Sequence, residues 1–304
     1  MIKKFIIYDP ISKDFIPSSP QLYTFFINSL SIELTYRDIE NIKIDNIKKL
    51  SDIDYKNSII LIIINPHFIN DYIEIKNEIK YISENFKYKI LYLTEPINFL
   101  VEKNINLNLI KMIKPYCLWT YTYENFNKLN TKINIYKIFP NYNNAYNFLD
   151  INYENIKHKL IDKIIFFGNI NENRKFISEQ FNDYLINITD SWSQLEWTEI
   201  LNKHLFYLNI HRRNNCKSFE SFRIIPILAN GGIIFSERTN LKEEEDYKNY
   251  NIIFSEKNKL YDTFLEYIKN INYEVILENT IKFRENMKIN SELDNFLEFH
   301  NKII

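Results

Sequence analysis

Glycine is almost missing from this 304-residue chain, which contains only Gly168, Gly231 and Gly232. A sequence that replaces glycine nearly everywhere keeps it where a Cβ cannot fit, and all three positions lie in the C-terminal half. Cysteine is scarcer still. Cys117 and Cys216 stand far apart and form no CxxC pair, which argues against a disulfide framework or a zinc site and suits a reducing, cytoplasmic setting. Long apolar runs are lacking as well. Runs such as Ser58–Ile64 have the length of a strand, far below the roughly 20 residues of a membrane span, so no transmembrane segment is expected. The opening MIKKFIIYDP has no small-residue cleavage site and reads as a first strand. Neither charge sign dominates. With 38 Lys and Arg against 39 Asp and Glu, the net charge is -1, and no global field draws the chain to nucleic acid or an anionic membrane.

The abundant residues are Asn, Ile, Lys and Tyr, a usage so general that Asn loses its value as a turn signal. The length predicts two domains. In the first half, short β-branched runs at Ile2–Tyr8, Ile59–Ile64, Lys89–Thr94, Cys117–Tyr121 and Ile133–Phe139 alternate with helical patterns. Asn65-Pro66, Glu95-Pro96 and Pro140 mark turns between them. An Asn- and Tyr-rich stretch then separates a domain over 1–145 from one over 155–304. The rhythm restarts with strands at Lys163–Phe167, Leu205–Ile210, Gly232–Ser236 and Asn251–Ser255. Helical patterns cover Glu172–Phe181, Trp192–Lys203, Phe219–Asn230 and Lys259–Lys269, and run from Glu274 to the end. Two doubly wound, Rossmann-like α/β domains with right-handed crossovers follow from this alternation.

Two places carry candidate chemistry. Gly168 and Asn169 end a strand, where a ligand can approach the backbone and the next helix offers free N–H groups to an anion. Arg174, in the first turns of that helix, adds a cation. No GxGxxG follows, so a dinucleotide fingerprint is absent. The second place is a basic loop after the strand ending at Ile210: His211, Arg212, Arg213 and Lys217, followed by a helix that puts Glu220 and Arg223 on one face. A carboxylate there can accept two ribose hydroxyls, and a guanidinium can fork onto phosphate. Taken alone, Glu220 and Arg223 at this spacing are more often an ordinary surface pair, and it is their context that points to a ligand.

The segment FESFRIIPILANGGIIFSERTN resembles the donor-binding segment of GT-B-fold glycosyltransferases of the group-one type. The likeness extends to IIFFGNINENRKF upstream, YKNYNIIFSEKNKLYDTFLEYI downstream and LWTYTYENFNKL in the first half. That resemblance implies two Rossmann-like domains facing across a cleft, the donor against the second and the acceptor against the first. It implies transfer of a sugar from a nucleotide-diphosphate-sugar to a glycan, protein or lipid acceptor, without metal or a further cofactor. Gly168 and Arg174 would then flank the diphosphate, and Glu220 and Arg223 would lie on the donor side. His211, which closes a strand at the cleft edge, is the candidate to stand near the sugar, or is a hydrogen-bonded histidine with no catalytic part. One departure is Pro226, where many members carry a glutamate; the ribose contact then falls to Glu220 or Glu237 or is lost. Its loss would make the chain a nucleotide-sugar or glycan binder without turnover, and a nucleotide-sugar epimerase shares the fold.

Weaker signals remain. Asp52-Ile53-Asp54 spells the D-x-D of metal-dependent glycosyltransferases but precedes a strand instead of ending one. The run Lys242–Asp246 reads as a solvated loop. Trp192 and Trp197 could floor a sugar site or, more simply, pack in a core.

Overall fold

The computed structural model describes residues 4–10, 22–50, 55, 57–64, 73–94, 97, 100–138, 149–189, 194–213, 217–287 and 291–301. Asp52, Asp54, Trp192, Cys216 and the turn residues Asn65, Pro66, Glu95, Pro96 and Pro140 lie outside them.

The chain divides into two compact units. The first runs β1 (Lys4–Tyr8), α1 (Leu22–Tyr36), β2 (Glu40–Ile44), β3 (Ser58–Ile64), α2 (Ile73–Asn85), β4 (Tyr88–Leu93), α3 (Leu100–Ile113), β5 (Cys117–Thr120), α4 (Glu124–Lys128) and β6 (Ile135–Lys137). Its strands form one parallel sheet in the order β2-β1-β3-β4-β5-β6. The all-aliphatic β3 is buried along its whole length, the state a central parallel strand requires because both its faces are covered. Ile60, Ile62 and Ile64 share a core with Ile79 and Ile82 of α2 and Ile113 of α3. Cys117 is buried in β5, and burial pushes its thiol far above the ordinary value, as befits a packing residue.

The second unit runs α5 (Tyr153–Lys157), β7 (Leu160–Phe167), α6 (Glu172–Gln180), β8 (Leu185–Ile188), α7 (Gln194–Lys203), β9 (His204–Asn209), α8 (Ser221–Ala229), β10 (Ile233–Glu237), α9 (Leu241–Tyr247), β11 (Ile252–Ser255), α10 (Leu260–Tyr267) and α11 (Tyr273–Asn286). These strands make a second parallel sheet, β8-β7-β9-β10-β11. Helix α6 packs on α10, while α11 packs with α5 and α8. Two separate parallel sheets with helical crossovers are the architecture the sequence predicts. Both are wound alike, with the second strand of each unit outside the first and the third on its other side. The strand order therefore reverses between β7 and β9, the point where open α/β sheets take their ligands.

Two expectations are corrected. The last helix, α12 (Ser291–Asn301), belongs to the first unit, not to a second domain running to residue 304. Its Phe296 meets the Trp119 ring edge-on at 5.0 Å and the Tyr136 ring at 5.3 Å. Apolar periodicity states that a helix covers a core without stating which one. The charge run Lys242–Asp246 is likewise no solvated loop. It is most of α9, with Glu243 and Glu244 buried because their carboxylates accept the backbone N–H groups of Phe219 and Thr239, both at 2.7 Å. No helix among the described residues is long and apolar enough to cross a membrane.

The glycine pair ends α8. Gly231 has φ +73°, and the N–H groups of Gly232 and Gly231 return to the carbonyls of Ile227 and Leu228 at 2.9 and 3.3 Å, the double bond of a Schellman cap. Gly232 has no space for a side chain: a Cβ would stand 2.5 Å from Ile227 Cγ2 and 2.7 Å from Tyr207 Cε2.

Candidate functional site

The third glycine organises the site. Gly168 follows β7 at the reversal of strand order, with φ +131°, a conformation that side-chain-bearing residues rarely adopt. A Cβ there would lie 3.3 Å from Arg223 Nη1 and 3.5 Å from Arg174 Nη1. Two guanidinium groups thus close over one bare backbone position. Helix α6 begins just beyond, and Asn171 caps it by accepting the Arg174 N–H at 3.2 Å.

The two arginines are held differently. Arg174 is only 4% exposed. It donates from Nε to Ile210 O at 3.0 Å and from Nη1 to Asn169 O at 2.8 Å, and lies over the Phe166 ring at 5.0 Å. Much of its hydrogen-bonding capacity therefore goes to holding β7, α6 and the end of β9 together. Burial first, then repulsion from Arg223, lowers its pKa to about 10. Arg223 donates to Phe167 O and pairs with Glu220 one helical turn away. Glu220 keeps 34% of its side chain exposed. Burial alone would raise its carboxyl pKa, but the charges of Arg223, Arg174 and His211 outweigh that and hold it below the usual carboxylate range. One carboxylate thus stands among several cations, an arrangement that favours a further anion.

His211 is buried where β9 ends. Its N–H donates to Glu237 Oε2 at 2.6 Å and its Nε2 meets Arg238 O at 2.9 Å. A carbonyl can only accept, so Nε2 carries a proton and donates it to this bond. Glu237 is itself buried, committed to this loop. Pro226 is buried inside α8, with its carbonyl taken by Asn230 Nδ2 at 2.8 Å, so nothing at this position replaces a ribose-binding carboxylate.

The structure thus brings Gly168, Asn169, Arg174, His211, Glu220, Arg223 and Glu237 to the ends of β7, β9 and β10. Arg212 is exposed nearby, and its charge reaches Arg174. Arg213 is half-buried. Lys217 is exposed, and its carbonyl accepts the Asn240 N–H at 2.9 Å. Trp197 is fully buried and stacks on Phe167 at 4.3 Å, so it packs and floors no open site. Sequence reasoning missed Asn171, Asn173 and Lys257, which surround the first turn of α6. Asn171 carried a readable signal, an N-cap residue before a helical pattern.

In the first unit, Ile7, Ile27, Ile44, Asp9, Asp45, Lys43, Lys49 and Asn28 line a hollow of about 190 Å³ beside the ends of β1 and β2. Among the described residues, no group of three or more His, Cys, Asp or Glu is placed to hold a metal ion.

No protein-family model matches the chain, and no curated protein matches it. Solved structures do. An α-glucosyltransferase in complex with UDP-glucose and DNA containing an abasic site superposes with a TM-score of 0.64 at 11% identity, covering 98% of each chain. Anabaena Alr3699/HepE in complex with UDP and glucose gives 0.56 at 8% identity, covering 97% of this chain and 99% of that one. The DNA-modifying enzyme β-glucosyltransferase gives 0.50 at 11% identity, covering 93% of both. At these identities the likeness concerns architecture, and it spans nearly the whole chain: two Rossmann-like parallel-sheet units in the fold known as GT-B.

Proposed function

We propose that the chain is a glycosyltransferase that moves a sugar from a nucleotide-diphosphate-sugar to an acceptor, with the donor diphosphate seated at Gly168. The observation that carries this reading is the meeting of Arg223 and Arg174 over a glycine with positive φ, where the strand order reverses and a capped helix begins. Backbone without a Cβ admits a bulky anion, the α6 N-terminus supplies N–H groups, and the guanidiniums supply charge. In transfer, the bond between the sugar carbon and the diphosphate oxygen breaks, the diphosphate keeps the electron pair, and the acceptor oxygen bonds to that carbon as its hydroxyl proton passes to a base or to solvent. Fixed cations lower the barrier by stabilising the negative charge that develops on the departing diphosphate. Glu220 is the carboxylate best exposed to accept ribose hydroxyls, and His211 is proposed to stand near the sugar. The GT-B neighbours solved with UDP or UDP-glucose support this reading and make UDP-glucose the first donor to try.

For the acceptor we propose a glycan, protein or lipid, and a cytoplasmic setting. The near-zero net charge gives no general attraction to polyanions. Two neighbours are described with DNA or as DNA-modifying, so DNA belongs among the acceptors assayed. Release of UDP from UDP-glucose, with and without each acceptor class, tests the proposal. Acceptor-stimulated release is expected; absence of both donor binding and release contradicts it. Pro226 favours a second reading, a nucleotide-sugar binder without turnover, which tight donor binding with no release under any acceptor would establish.

A further inference from the structure

Three consecutive carbonyls after β9 turn toward the start of α6, each held by a different side chain. Arg174 Nε donates to Ile210 O at 3.0 Å, Asn173 Nδ2 to His211 O at 3.0 Å and Asn171 Nδ2 to Arg212 O at 2.7 Å. Asn173 is fixed in turn by Lys257, just past β11, whose Nζ donates to both its main-chain O and its Oδ1 at 2.9 Å. That second bond also settles the amide's orientation: with Oδ1 facing an ammonium, Nδ2 must face the carbonyl. In a trans peptide the C=O and the next N–H point in opposite directions. Carbonyls drawn toward α6 therefore turn the N–H groups away from it, and the His211 N–H duly reaches Glu237 at 2.6 Å.

We infer that Asn171, Asn173 and Lys257 are positioning residues that clamp the His211–Arg213 segment and so aim its side chains at the site around Gly168. This rests on the donor-site reading above. A segment already ordered pays no further ordering entropy when the donor binds, so a clamp acting only through backbone carbonyls still strengthens binding. Lys257, just past β11, thus ties the start of α6 and the end of β9 together through one asparagine.

The test uses Asn173→Asp, Asn173→Leu, Lys257→Met and Lys257→Arg in the full chain, with UDP as the probe. Asn173→Asp keeps the shape and the oxygen facing Lys257 but replaces the donor facing His211 O; Asn173→Leu removes the bond without adding charge. Three readouts are compared: melting temperature, hydrogen exchange of the amides from Ile210 to Arg213, and calorimetric UDP affinity. Both Asn173 variants and Lys257→Met should exchange faster in this segment and bind UDP about fivefold or more weakly, with melting little changed. Lys257→Arg, which keeps the donors, should restore both. Wild-type exchange and affinity in all variants would overturn the inference while leaving the donor site standing. Loss of affinity only in step with global melting would also overturn it, since that marks a scaffold role. A wild-type protein that binds no nucleoside diphosphate would overturn the donor-site reading, and the positioning role with it.

Discussion

At the scale of single residues, Gly168 holds a backbone conformation that side-chain-bearing residues rarely adopt. Alanine there must adopt a φ near +131° and push its methyl group toward Arg223 Nη1. Gly168→Ala should cost about 1 to 3 kcal/mol of stability from strain and weaken UDP binding by displacing Arg223. Denaturant unfolding and calorimetry on the variant check both; wild-type affinity would show that the glycine serves only the turn. The general place of this site is legible in the sequence, because a strand-glycine-helix unit and a basic loop put Gly168, Arg174, His211 and Arg223 at the ends of neighbouring strands. The division of labour is not. Arg174 gives two nitrogens to backbone carbonyls, and Glu243 and Glu244 accept backbone N–H groups. Backbone partners leave no mark on side-chain patterns, so an arginine partly committed to carbonyls reads like any other cation and a buried carboxylate reads as a solvated charge.

At the scale of elements, the central strands can be read directly because burial on both faces demands continuous apolar runs. So can the edge strands β6 and β11, but not the edge strands β2 and β8. In β2, ENIKI, and β8, LINI, solvent covers one side, so polar residues interrupt the pattern and the strands are short. Helix α12 has a measurable anchor. His300 is 1% exposed, ringed by Tyr116, Tyr136, Phe296 and Phe299, and neither ring nitrogen has a hydrogen-bond partner among the described residues. Burial lowers its pKa to about 4 from the ordinary 6.5. Between those values the unfolded chain binds more protons than the folded one, so the stability from the neutral ring is present above about pH 6.5 and is lost as pH falls toward 4. The wild-type melting temperature should drop across this window, and His300→Phe should flatten that component of the drop. Identical pH profiles for the two proteins would show that His300 does not titrate on unfolding.

At the scale of the whole molecule, two units wound in the same strand order share one fold, but the candidate chemistry gathers in the second. Its proposed catalytic charge comes from guanidinium groups and a helix N-terminus, so donor binding and turnover should survive EDTA. Loss with EDTA and recovery with manganese would contradict this and bring Asp52 and Asp54 back into consideration. The central claim, that Arg223 and Gly168 mark the diphosphate seat, is tested most directly by calorimetric titration of UDP into wild type, Arg223→Ala and Arg223→Lys. Wild type should bind, Arg223→Ala should lose about 1.5 to 3 kcal/mol, the range for a hydrogen bond to a charged group, and Arg223→Lys should recover only part because an ammonium cannot reproduce the fork. Equal affinities for all three proteins, each folded by circular dichroism, would place the phosphate elsewhere.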